Sequence, residues 1–529
     1  MHLTAVVKSL PQVVGLSFLA LGCGTESSSM PSEDAASGAT GGAPPTGGLG
    51  ATGGGATGGA SGFGASGSGG TGAASGTGGT GGEPPVELPS VVTSGQDSFW
   101  QPGTVTQVTA APDVSLDPNA TYQDWVGFGG TFNEAGWEVL LLLSPSERDR
   151  AMRLLFDPNE GTRFTWGRVP VGSSDYGLVR YTLDEVPGDY SMARFSIERD
   201  REYLIPYIRA AQALNPTLRF WASPWTPPPW MKDNNDYDAG NMLNDPETLG
   251  AHALYLARFV EEYANEGINI EAIYPQNEPG WPQDYPSCAW TIEQMTDYIG
   301  NYLGPLFAQR LPTTEIWLGT ISNPINDPMV YSVMGDATAS AYITGIGLQW
   351  GMDYYAAQYI ADFGLPLMQT EHRCGNYPWE GADQTRAPND YAYAVESWIL
   401  IHRWLEAGAN SYFAWNMVLD TVGLNLDVVR PWAQNALLTV ERSTNTLIVT
   451  PAYYVFRHFS GFIDPGAVRI STAGSIGNVL AFQNPDGSVV TVMHNPGDTP
   501  RPTTVGWGAT TVEFEVPAVG WATVDWPPA

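Results

Sequence analysis

Two glutamates, each at the end of an apolar run, are the residues of this sequence best suited to chemistry. Glu278 follows I-N-I-E-A-I-Y-P-Q-N and precedes Pro279, and Glu371 ends L-P-L-M-Q-T-E. Pro279 has no amide N–H and ends any regular internal strand, so the carboxylate before it lies where a buried strand emerges. A lone carboxylate at a strand end is more often a helix cap or a loop salt bridge. Two carboxylates facing each other across a sugar-sized cleft can hydrolyse a glycoside, one as general acid and the other as nucleophile or as the base that activates water.

Other strand ends supply amide, aromatic and charged side chains of the kind that bind sugars. Asn277 directly precedes the first glutamate, and R-V-P-V-G-S-S-D carries Arg168 and Asp175. The segments A-S-P-W and F-A-W-N carry Trp225 and Trp415. Asp175 can accept hydrogen bonds from sugar hydroxyls, the two tryptophans offer apolar walls, and Arg168 can orient or charge-balance a carboxylate. For Arg168 and Trp415, a purely structural role as a core ion pair or packing residue is the alternative.

Eight short apolar segments alternate with segments of helical periodicity over residues 121–450. The strand candidates are 125–130, 163–171, 218–223, 268–276, 315–320, 343–349, 365–370 and 411–415. The helix candidates are 144–156, 199–214, 246–263, 291–307, 353–362 and 390–407. This alternation predicts an α/β fold with a (β/α)8 TIM barrel, whose strands end at the catalytic face. Strands four and seven lie on opposite sides of such a barrel, so their terminal glutamates are predicted to face each other across its mouth.

A different pattern follows at residues 451–529. Six short strand candidates, at 468–472, 478–483, 488–494, 503–506, 511–516 and 520–526, are separated by Gly, Pro, Asn and Asp. Short strands with such turns predict an attached antiparallel β-sandwich. Residues 95–120, with the strand-like run V-T-Q-V-T-A, are predicted to join this sandwich before the barrel begins.

Residues 1–23 have the features of an export signal. Lys8 gives a weak positive region, residues 13–21 form an apolar core too short to span a bilayer, and A-L-G-C, ending at Cys23, resembles a bacterial lipobox. This predicts acylation of Cys23 and a cell-envelope lipoprotein that meets the membrane only through its lipid. The alternative is an ordinary cleaved signal with an incidental cysteine, and a secreted protein. Residues 24–94 are almost wholly Gly, Ala, Ser, Thr and Pro, which predicts a flexible, disordered linker.

Composition argues against several other classes of function. The net charge of −32 and the sequence pI of about 4.3 disfavour nucleic acid and anionic membrane surfaces, whose binding depends on clustered Lys and Arg. Three cysteines and six histidines occur without a CxxC pair or an HExxH motif, so no metal site is predicted. The folded part has no GxxxxGK[ST] loop and no strand-linked GxGxxG, so no nucleotide cofactor is predicted. The 19 Trp and 24 Tyr suit sugar stacking, and they suit a large core equally well.

Seven segments, in order, resemble glycoside hydrolase family 30, and within it the glucosylceramidase-like branch. They are G-F-G-G-T-F-N-E-A, R-V-P-V-G-S-S-D-Y, F-S-I-E-R-D-R-E-Y-L-I-P-Y-I, A-S-P-W-T-P-P-P-W-M-K, Q-N-E-P, the strand that ends in Glu371, and P-A-Y-Y-V-F-R-H-F-S-G-F-I. The resemblance covers roughly residues 97–529. It implies a (β/α)8 barrel with an attached β-sandwich, a retaining double displacement on β-glycosides, and no metal or organic cofactor.

The resemblance also implies roles for individual residues. Glu278 matches the acid/base and Glu371 the nucleophile. Asn277 matches the amide that hydrogen-bonds the 2-hydroxyl of the sugar. The residues that match the lining of the subsite for the non-reducing sugar are Arg168, Asp175, Trp225 and Trp415.

The substrate is less well defined by this resemblance than the chemistry. Glucosylceramidases typically have His-Trp-Tyr near the end of strand six, where this chain has Gln349, Trp350 and Gly351. Trp350 matches the Trp of this motif and is therefore predicted to bind substrate. Gly351 lacks the aromatic ring of the Tyr, which changes the side of the cleft close to the aglycone or the acid/base. Glucosylceramidase or β-glucosidase activity is the first prediction. The alternatives within the family are endo-β-1,6-glucanase, β-1,6-galactanase, β-fucosidase, β-xylosidase and xylanase activity.

Two hypotheses from other classes compete with an enzyme of this kind. A non-catalytic surface carbohydrate-binding protein would not need the acid/base glutamate that this chain keeps. A metal-dependent hydrolase on the same barrel is disfavoured because no strand end is rich in histidine.

Cys288 and Cys374 follow the two glutamates by ten and three positions, in the loops after strands four and seven. In an oxidising compartment the two cysteines can pair and fix the rim of the cleft. The equal alternative is two separate thiols.

Overall fold

The computed structural model describes residues 87–372, 375, 389–431 and 433–528, and eight of the described strands close into a barrel. The first four strands of the chain are β1 Ser90–Gly95, β2 Ser98–Pro102, β3 Thr106–Val108 and β4 Val114–Asp124. The barrel strands are β5 Gly127–Thr131, β6 Trp166–Val171, β7 Arg219–Pro224, β8 Ile270–Ile273, β9 Glu315–Ile321, β10 Ile343–Leu348, β11 Leu367–His372 and β12 Ser411–Asn416. The strands are parallel and follow one another in chain order, and the ring closes where β12 pairs with β5. The predicted (β/α)8 barrel is confirmed.

The fourth barrel strand is shorter than the sequence pattern predicts. β8 ends at Ile273, although the apolar run indicated a strand over residues 268–276. The chain beyond it loses the regular ladder because Pro275 has no amide donor. The Asn277 N–H still donates to the Pro224 oxygen at the end of β7, at 2.8 Å. The segment that carries the first glutamate is therefore held at the barrel mouth in a non-strand conformation.

Helices surround the barrel, and several of them begin after a residue whose side chain caps the first turn. They are α1 Glu134–Leu142, α2 Pro145–Phe156, α3 Leu204–Leu214, α4 Pro246–Asn265, α5 Ile292–Tyr298, α6 Gly304–Arg310, α7 Asp327–Gly335, α8 Asp353–Phe363, α9 Tyr391–Glu406 and α10 Pro451–Ser460. In α2 the Ser144 hydroxyl accepts the Glu147 N–H at 3.3 Å, and in α4 the Asp245 carboxylate accepts the Thr248 N–H at 2.9 Å. Each of these two helices has proline at its first position, where no amide donor is needed.

A ten-stranded sheet forms the second domain. After the small sheet of β13 Val418–Asp420, β14 Leu438–Glu441 and β15 Thr446–Val449, the chain adds β16 Val468–Gly474, β17 Val479–Gln483, β18 Val489–Asn495, β19 Arg501–Trp507, β20 Thr510–Val516 and β21 Gly520–Trp526. The strand order is β2-β1-β21-β18-β17-β16-β4-β19-β20-β3. Side chains from distant strands of this order, including Val91, Val114, Val505 and Trp526, meet in one apolar cluster. The sheet thus folds over itself as a β-sandwich, and the prediction that strands before the barrel join it is confirmed.

Two domain boundaries differ from those predicted. β1 begins at Ser90, inside the stretch predicted as linker, because its apolar residues pair with β21 and enter the sandwich core. Residues 451–460 form α10 and do not begin the sandwich. The spacing of Ala452, Val455, Phe456 and Phe459 is helical, and these buried side chains pack against the barrel core.

Residues 1–86, with the predicted export signal, Cys23 and most of the predicted linker, lie outside the described part of the chain. Within the described ranges, no helix has both the length and the apolar character needed to cross a membrane. In the same ranges, no group of three or more His, Cys, Asp or Glu side chains is placed to hold a metal ion.

Candidate active site

The two predicted glutamates meet at the mouth of the barrel. Glu278 follows β8, Glu371 lies in β11, and both are buried. The Gln349 amide, just beyond β10, donates to Glu278 Oε1 at 3.1 Å, and it also lies close enough to Glu371 to lower the pKa of that carboxyl. Both carboxylates therefore lie within reach of a single side chain. This confirms that the ends of strands four and seven face each other.

Two donors bond the Glu371 carboxylate. Arg168 Nη1, on β6, donates to Glu371 Oε2 at 2.5 Å, and the Trp350 indole N–H donates to Oε1 at 2.9 Å. Arg168 is fully buried, so its charge has little water to screen it and acts strongly on the carboxylate. The pKa of Glu371 is raised overall, because burial outweighs the Arg168 guanidinium and the hydrogen bonds, which lower it. Glu371 is thus the carboxylate with a cation at its side.

Glu278 has the opposite environment. Burial, followed by the nearby charge of Glu371, raises the pKa of Glu278 to about 7. The backbone of Glu278 has a φ of 50°, an uncommon conformation that is secured by a bond from its N–H to the Thr320 oxygen at 3.0 Å. The Tyr285 hydroxyl lies 3.4 Å from Glu278 Oε2 and donates to it. Among the residues that the structure describes, no cation pairs directly with Glu278, so this carboxyl keeps its proton to higher pH than a surface glutamate.

Asn277 is oriented by two donors on its oxygen. Arg168 Nη2 donates to Asn277 Oδ1 at 2.6 Å, and the Thr320 hydroxyl donates to the same atom at 2.8 Å. Both hydrogen bonds that Asn277 Oδ1 accepts therefore come from the protein. The NH2 group of the same amide can then donate to a ligand in the cleft. The Ser223 hydroxyl helps to position Arg168, because it accepts a hydrogen bond from Arg168 Nη2 at 3.2 Å.

Two buried tryptophans and Asp175 lie beside the two carboxylates. Trp225 and Trp415 stack with ring centroids 5.2 Å apart, and Arg168 lies beneath them with Cζ 4.3 Å from the Trp225 ring. Asp175 is buried here, and its Oδ1 accepts no hydrogen bond from the described residues. Burial, then the charges of Glu371 and Glu278, raise the pKa of Asp175 well above its usual range. A buried carboxyl oxygen without a protein partner is costly, and a ligand hydroxyl would satisfy it.

All eight residues predicted for catalysis and substrate binding come together here; Arg168 contacts a carboxylate as predicted, whereas Trp350, predicted only to bind substrate, also bonds one. The eight are Arg168, Asp175, Trp225, Asn277, Glu278, Trp350, Glu371 and Trp415. Arg168 and Trp350 bond the Glu371 carboxylate, so they position and charge-balance it. For Arg168 this agrees with the alternative of a core ion pair.

Four further residues complete the site and were absent from the sequence-based prediction. They are Ser223, Tyr285, Thr320 and Gln349. Ser223, Thr320 and Gln349 lie at or next to the ends of barrel strands, so inspecting every strand end would have found them. Tyr285 lies in a loop whose path has no local sequence signal.

Cys288 is a buried free thiol in the described part of the chain. Its predicted partner Cys374 lies outside the described residues. Burial raises the pKa of Cys288 to about 12, so the reactive thiolate is scarce at neutral pH.

We expect Cys288 to stay unreactive toward a disulfide reagent in the folded protein and to react once the chain is unfolded without reductant. Counting thiols in a Cys23→Ser background restricts the measurement to Cys288 and Cys374. Two thiols after unfolding would exclude the bridge. No thiol until reductant is added would show that the two cysteines are paired.

Comparison with protein families matches both domains of the chain. Residues 125–463 match the model described as the glycosyl hydrolase family 30 TIM-barrel domain. Residues 466–524 match the model described as the family 30 beta sandwich domain. Together the two matches cover the barrel, α10 and most of the sandwich strands.

Individual proteins agree with this match. The mouse lysosomal acid glucosylceramidase is 27% identical over 417 residues, which are 74% of this chain and 79% of that protein. The endo-1,6-beta-D-glucanase neg1 of Aspergillus fumigatus is 27% identical over 437 residues, 76% of this chain and 82% of the relative. The crystal structure of SrfJ from Salmonella typhimurium shares the fold, with a TM-score of 0.75 and 24% identity over 84% of this chain and all of SrfJ.

Proposed function

The chain belongs to glycosyl hydrolase family 30, and from this premise we propose that it is an exported retaining β-glycosidase that acts by double displacement. One observation carries the mechanism. Glu278 and Glu371 both lie near Gln349, but their electrostatic environments differ. Glu371 is ion-paired with Arg168, while Glu278 has a pKa raised to about 7. The charge of Glu371 acts directly on Glu278, and this closeness fits the short separation of retaining enzymes, since inverting enzymes hold a water between more distant carboxylates.

In the first step Glu371 attacks the anomeric carbon. The bond from this carbon to the glycosidic oxygen breaks, and Glu278 gives its proton to that oxygen, so the leaving group departs as a neutral alcohol. Arg168 keeps Glu371 ionised until the attack. The Asn277 amide can donate to the 2-hydroxyl of the sugar while Glu371 forms its bond to the carbon.

In the second step water replaces the leaving group. Once Glu371 is consumed in the glycosyl ester its negative charge is gone, so the pKa of Glu278 falls and the residue can take a proton from water. The resulting hydroxide equivalent attacks the anomeric carbon and releases Glu371. Two inversions at one carbon leave the configuration β, which is the retaining outcome.

A β-glucoside is the proposed substrate, in the manner of a glucosylceramidase or β-glucosidase. The stacked Trp225 and Trp415 offer faces for a pyranose ring, and the unpartnered Asp175 oxygen offers an acceptor to its hydroxyls. The name of the mouse relative supports this choice. The second candidate is endo-β-1,6-glucanase activity, supported by the fungal relative and by the open space at Gly351, where an added Cβ would meet no atom within 4 Å.

We expect a panel of 4-nitrophenyl β-glycosides, glucosylceramide and β-1,6-glucan to show the highest kcat/KM for a β-glucoside. Released 4-nitrophenol, ceramide and reducing sugar measure the three kinds of substrate. The same panel with added chelator tests the metal-dependent alternative, for which activity should fall. A protein that binds these sugars but cleaves none of them would be the non-catalytic binder.

For the N-terminal segment we propose the lipoprotein form, with Cys23 as the acylated residue. The support is the sequence A-L-G-C after an apolar run, in front of a Gly-rich stretch. We expect Cys23→Ser to move the full-length protein from the membrane fraction to the soluble fraction of cells, with aryl β-glycosidase activity unchanged. Membrane association that survives this substitution would contradict acylation at Cys23.

A further inference from the structure

We propose that Thr370 and Gln349 form a positioning pair that directs the acid/base Glu278 toward the oxygen of the leaving group. In this pair the Thr370 hydroxyl, on the strand of the nucleophile, orients the Gln349 amide, and the amide holds the carboxyl. The inference rests on the proposed β-glycosidase function. It assigns both residues to proton transfer and neither of them to sugar binding.

The carboxyl of Glu278 depends on other elements for its orientation. Glu278 lies beyond the end of β8, in a segment without strand pairing. Gln349 Nε2 donates to Glu278 Oε1 at 3.1 Å, and the contact of the Tyr285 hydroxyl with Oε2 is longer, at 3.4 Å. The Ser322 hydroxyl also lies close enough to lower the pKa of Glu278. Gln349 therefore makes the shorter of the two measured hydrogen bonds to this carboxyl.

The backbone of Gln349 is fixed just beyond β10. Its N–H donates to the Ile321 oxygen, at the end of β9, at 2.9 Å, and its own oxygen accepts the Met352 N–H at 3.2 Å. The side chain of Gln349 is fully buried. A side-chain amide can still turn over and exchange its donor for its acceptor. The backbone thus brings the amide to Glu278 but does not decide which end of the amide faces the carboxyl.

The Thr370 hydroxyl decides that orientation. It donates to Gln349 Oε1 at 3.2 Å and shares its proton with the Leu348 oxygen at 3.1 Å. With Oε1 held in this way, the NH2 group of Gln349 faces Glu278, and it also lies close enough to Glu371 to lower the pKa of that carboxyl. Thr370 directly precedes Glu371 in β11. The strand that carries the nucleophile therefore also orients the acid/base.

A second threonine–amide pair in the same site serves a different group. The Thr320 hydroxyl, on β9, donates to Asn277 Oδ1 at 2.8 Å, and the NH2 group of Asn277 is available to the sugar. Thr320 and Thr370 are both fully buried in barrel strands. The two pairs have the same chemistry but different partners, so the Thr320 pair is a matched control for the Thr370 pair.

The dependence on the leaving group tests the proposal. An alkyl β-glucoside needs a proton on its leaving oxygen, whereas a 2,4-dinitrophenyl β-glucoside does not. We expect Gln349→Leu to lower kcat/KM for the alkyl glucoside by about 100-fold more than for the dinitrophenyl glucoside, and Thr370→Val by about tenfold more, because a misplaced acid transfers its proton poorly. A loss that both substrates share measures the effect of a variant on Glu371 or on the fold.

Two further variants show whether the hydroxyl of Thr370 is responsible. Thr320→Val makes the same change of hydroxyl to methyl, and it should lower kcat/KM for both glucosides by similar factors, since their sugar is the same. Thr370→Ser keeps a hydroxyl and should restore the ratio of the unmodified enzyme. Equal losses on both glucosides in Gln349→Leu would overturn the pair, and equal losses in Thr370→Val alone would overturn the part of Thr370. If Thr370→Val does not fold, Thr370→Ala replaces it.

The pH profile gives a readout that a merely structural role would not move. Charged and titratable groups from several elements face Glu278. They are Arg168 on β6, Asp175 after β6, Tyr285 after β8 and Glu371 on β11. Against burial and the charge of Glu371, which raise the pKa of Glu278, the hydrogen bond from Gln349 lowers it. Removal of this donor should therefore raise the pKa of Glu278 further.

We expect the alkaline fall in kcat/KM for the alkyl glucoside to move to higher pH in Gln349→Leu, and by less in Thr370→Val. In Thr320→Val the fall should stay where it is in the unmodified enzyme. An alkaline fall that does not move in Gln349→Leu or in Thr370→Val would overturn the proposal. An unmodified enzyme that hydrolyses neither glucoside nor any other glycoside of the panel would count against the proposed function itself.

Discussion

Replacing Glu371 by glycine is expected to lower hydrolysis of aryl β-glycosides by about 10⁴-fold or more, with part of the turnover restored by azide. The substitution removes the group that attacks the anomeric carbon and leaves a space beside Arg168 and Trp350. Azide is a small anion, so it can occupy this space next to the guanidinium and attack from the same face. The product is then the α-glycosyl azide, which NMR of the reaction mixture identifies.

The control for this experiment must separate lost chemistry from lost folding. Glu371 is the charge partner of fully buried Arg168, so its removal leaves an uncompensated charge that costs about 3–5 kcal/mol of stability. Glu371→Gln keeps a polar group within reach of Arg168 and should be equally inactive but closer to the unmodified Tm. Formation of the β-glycosyl azide by the glycine variant, or unchanged activity of either variant, would contradict the assignment of Glu371 as nucleophile.

Glu278→Ala is expected to show a loss that depends on the leaving group. For substrates with poor leaving groups, such as alkyl glucosides, kcat/KM should fall by about 10²–10⁴-fold, because general acid catalysis is lost. For 2,4-dinitrophenyl β-glycosides the first step needs no proton, so its rate should change little. Azide should speed the second step and give the β-glycosyl azide, the opposite anomer to that from the Glu371 variant.

The pH profile gives an independent check on Glu278. The first step needs this carboxyl protonated, and its pKa is raised to about 7, so kcat/KM should fall as the pH rises through about 7. In Glu278→Ala, assayed with a dinitrophenyl substrate, that fall should disappear. Glu271→Ala is the matched control, since Glu271 lies in β8 but bonds Arg219 away from the mouth. An unchanged fall in activity in Glu278→Ala would assign the titration to another group.

Much of this protein can be predicted from its sequence because the relevant signals are local. Strand and helix periodicity, with proline and capping residues at the ends, places the eight barrel strands to within a few residues. The same reasoning places Glu278 and Glu371 at strand ends, and the barrel geometry sets them across one mouth. The position of β1 and the helix at residues 451–460 were less predictable, because pairing with β21 and packing on the barrel decide them.

The sequence by itself therefore determined the barrel, the sandwich and the pair of candidate catalytic carboxylates, with Glu278 as the expected acid/base. Only the tertiary structure gives the physical reason why Glu278 favours the protonated form: Arg168 lies against Glu371, while Glu278 is buried without a cation partner among the described residues. It also brought Arg168 and Trp350 onto the two oxygens of the Glu371 carboxylate. Each of these contacts joins residues from different strands or loops. Local sequence pattern does not show which residues distant in the chain come together in space.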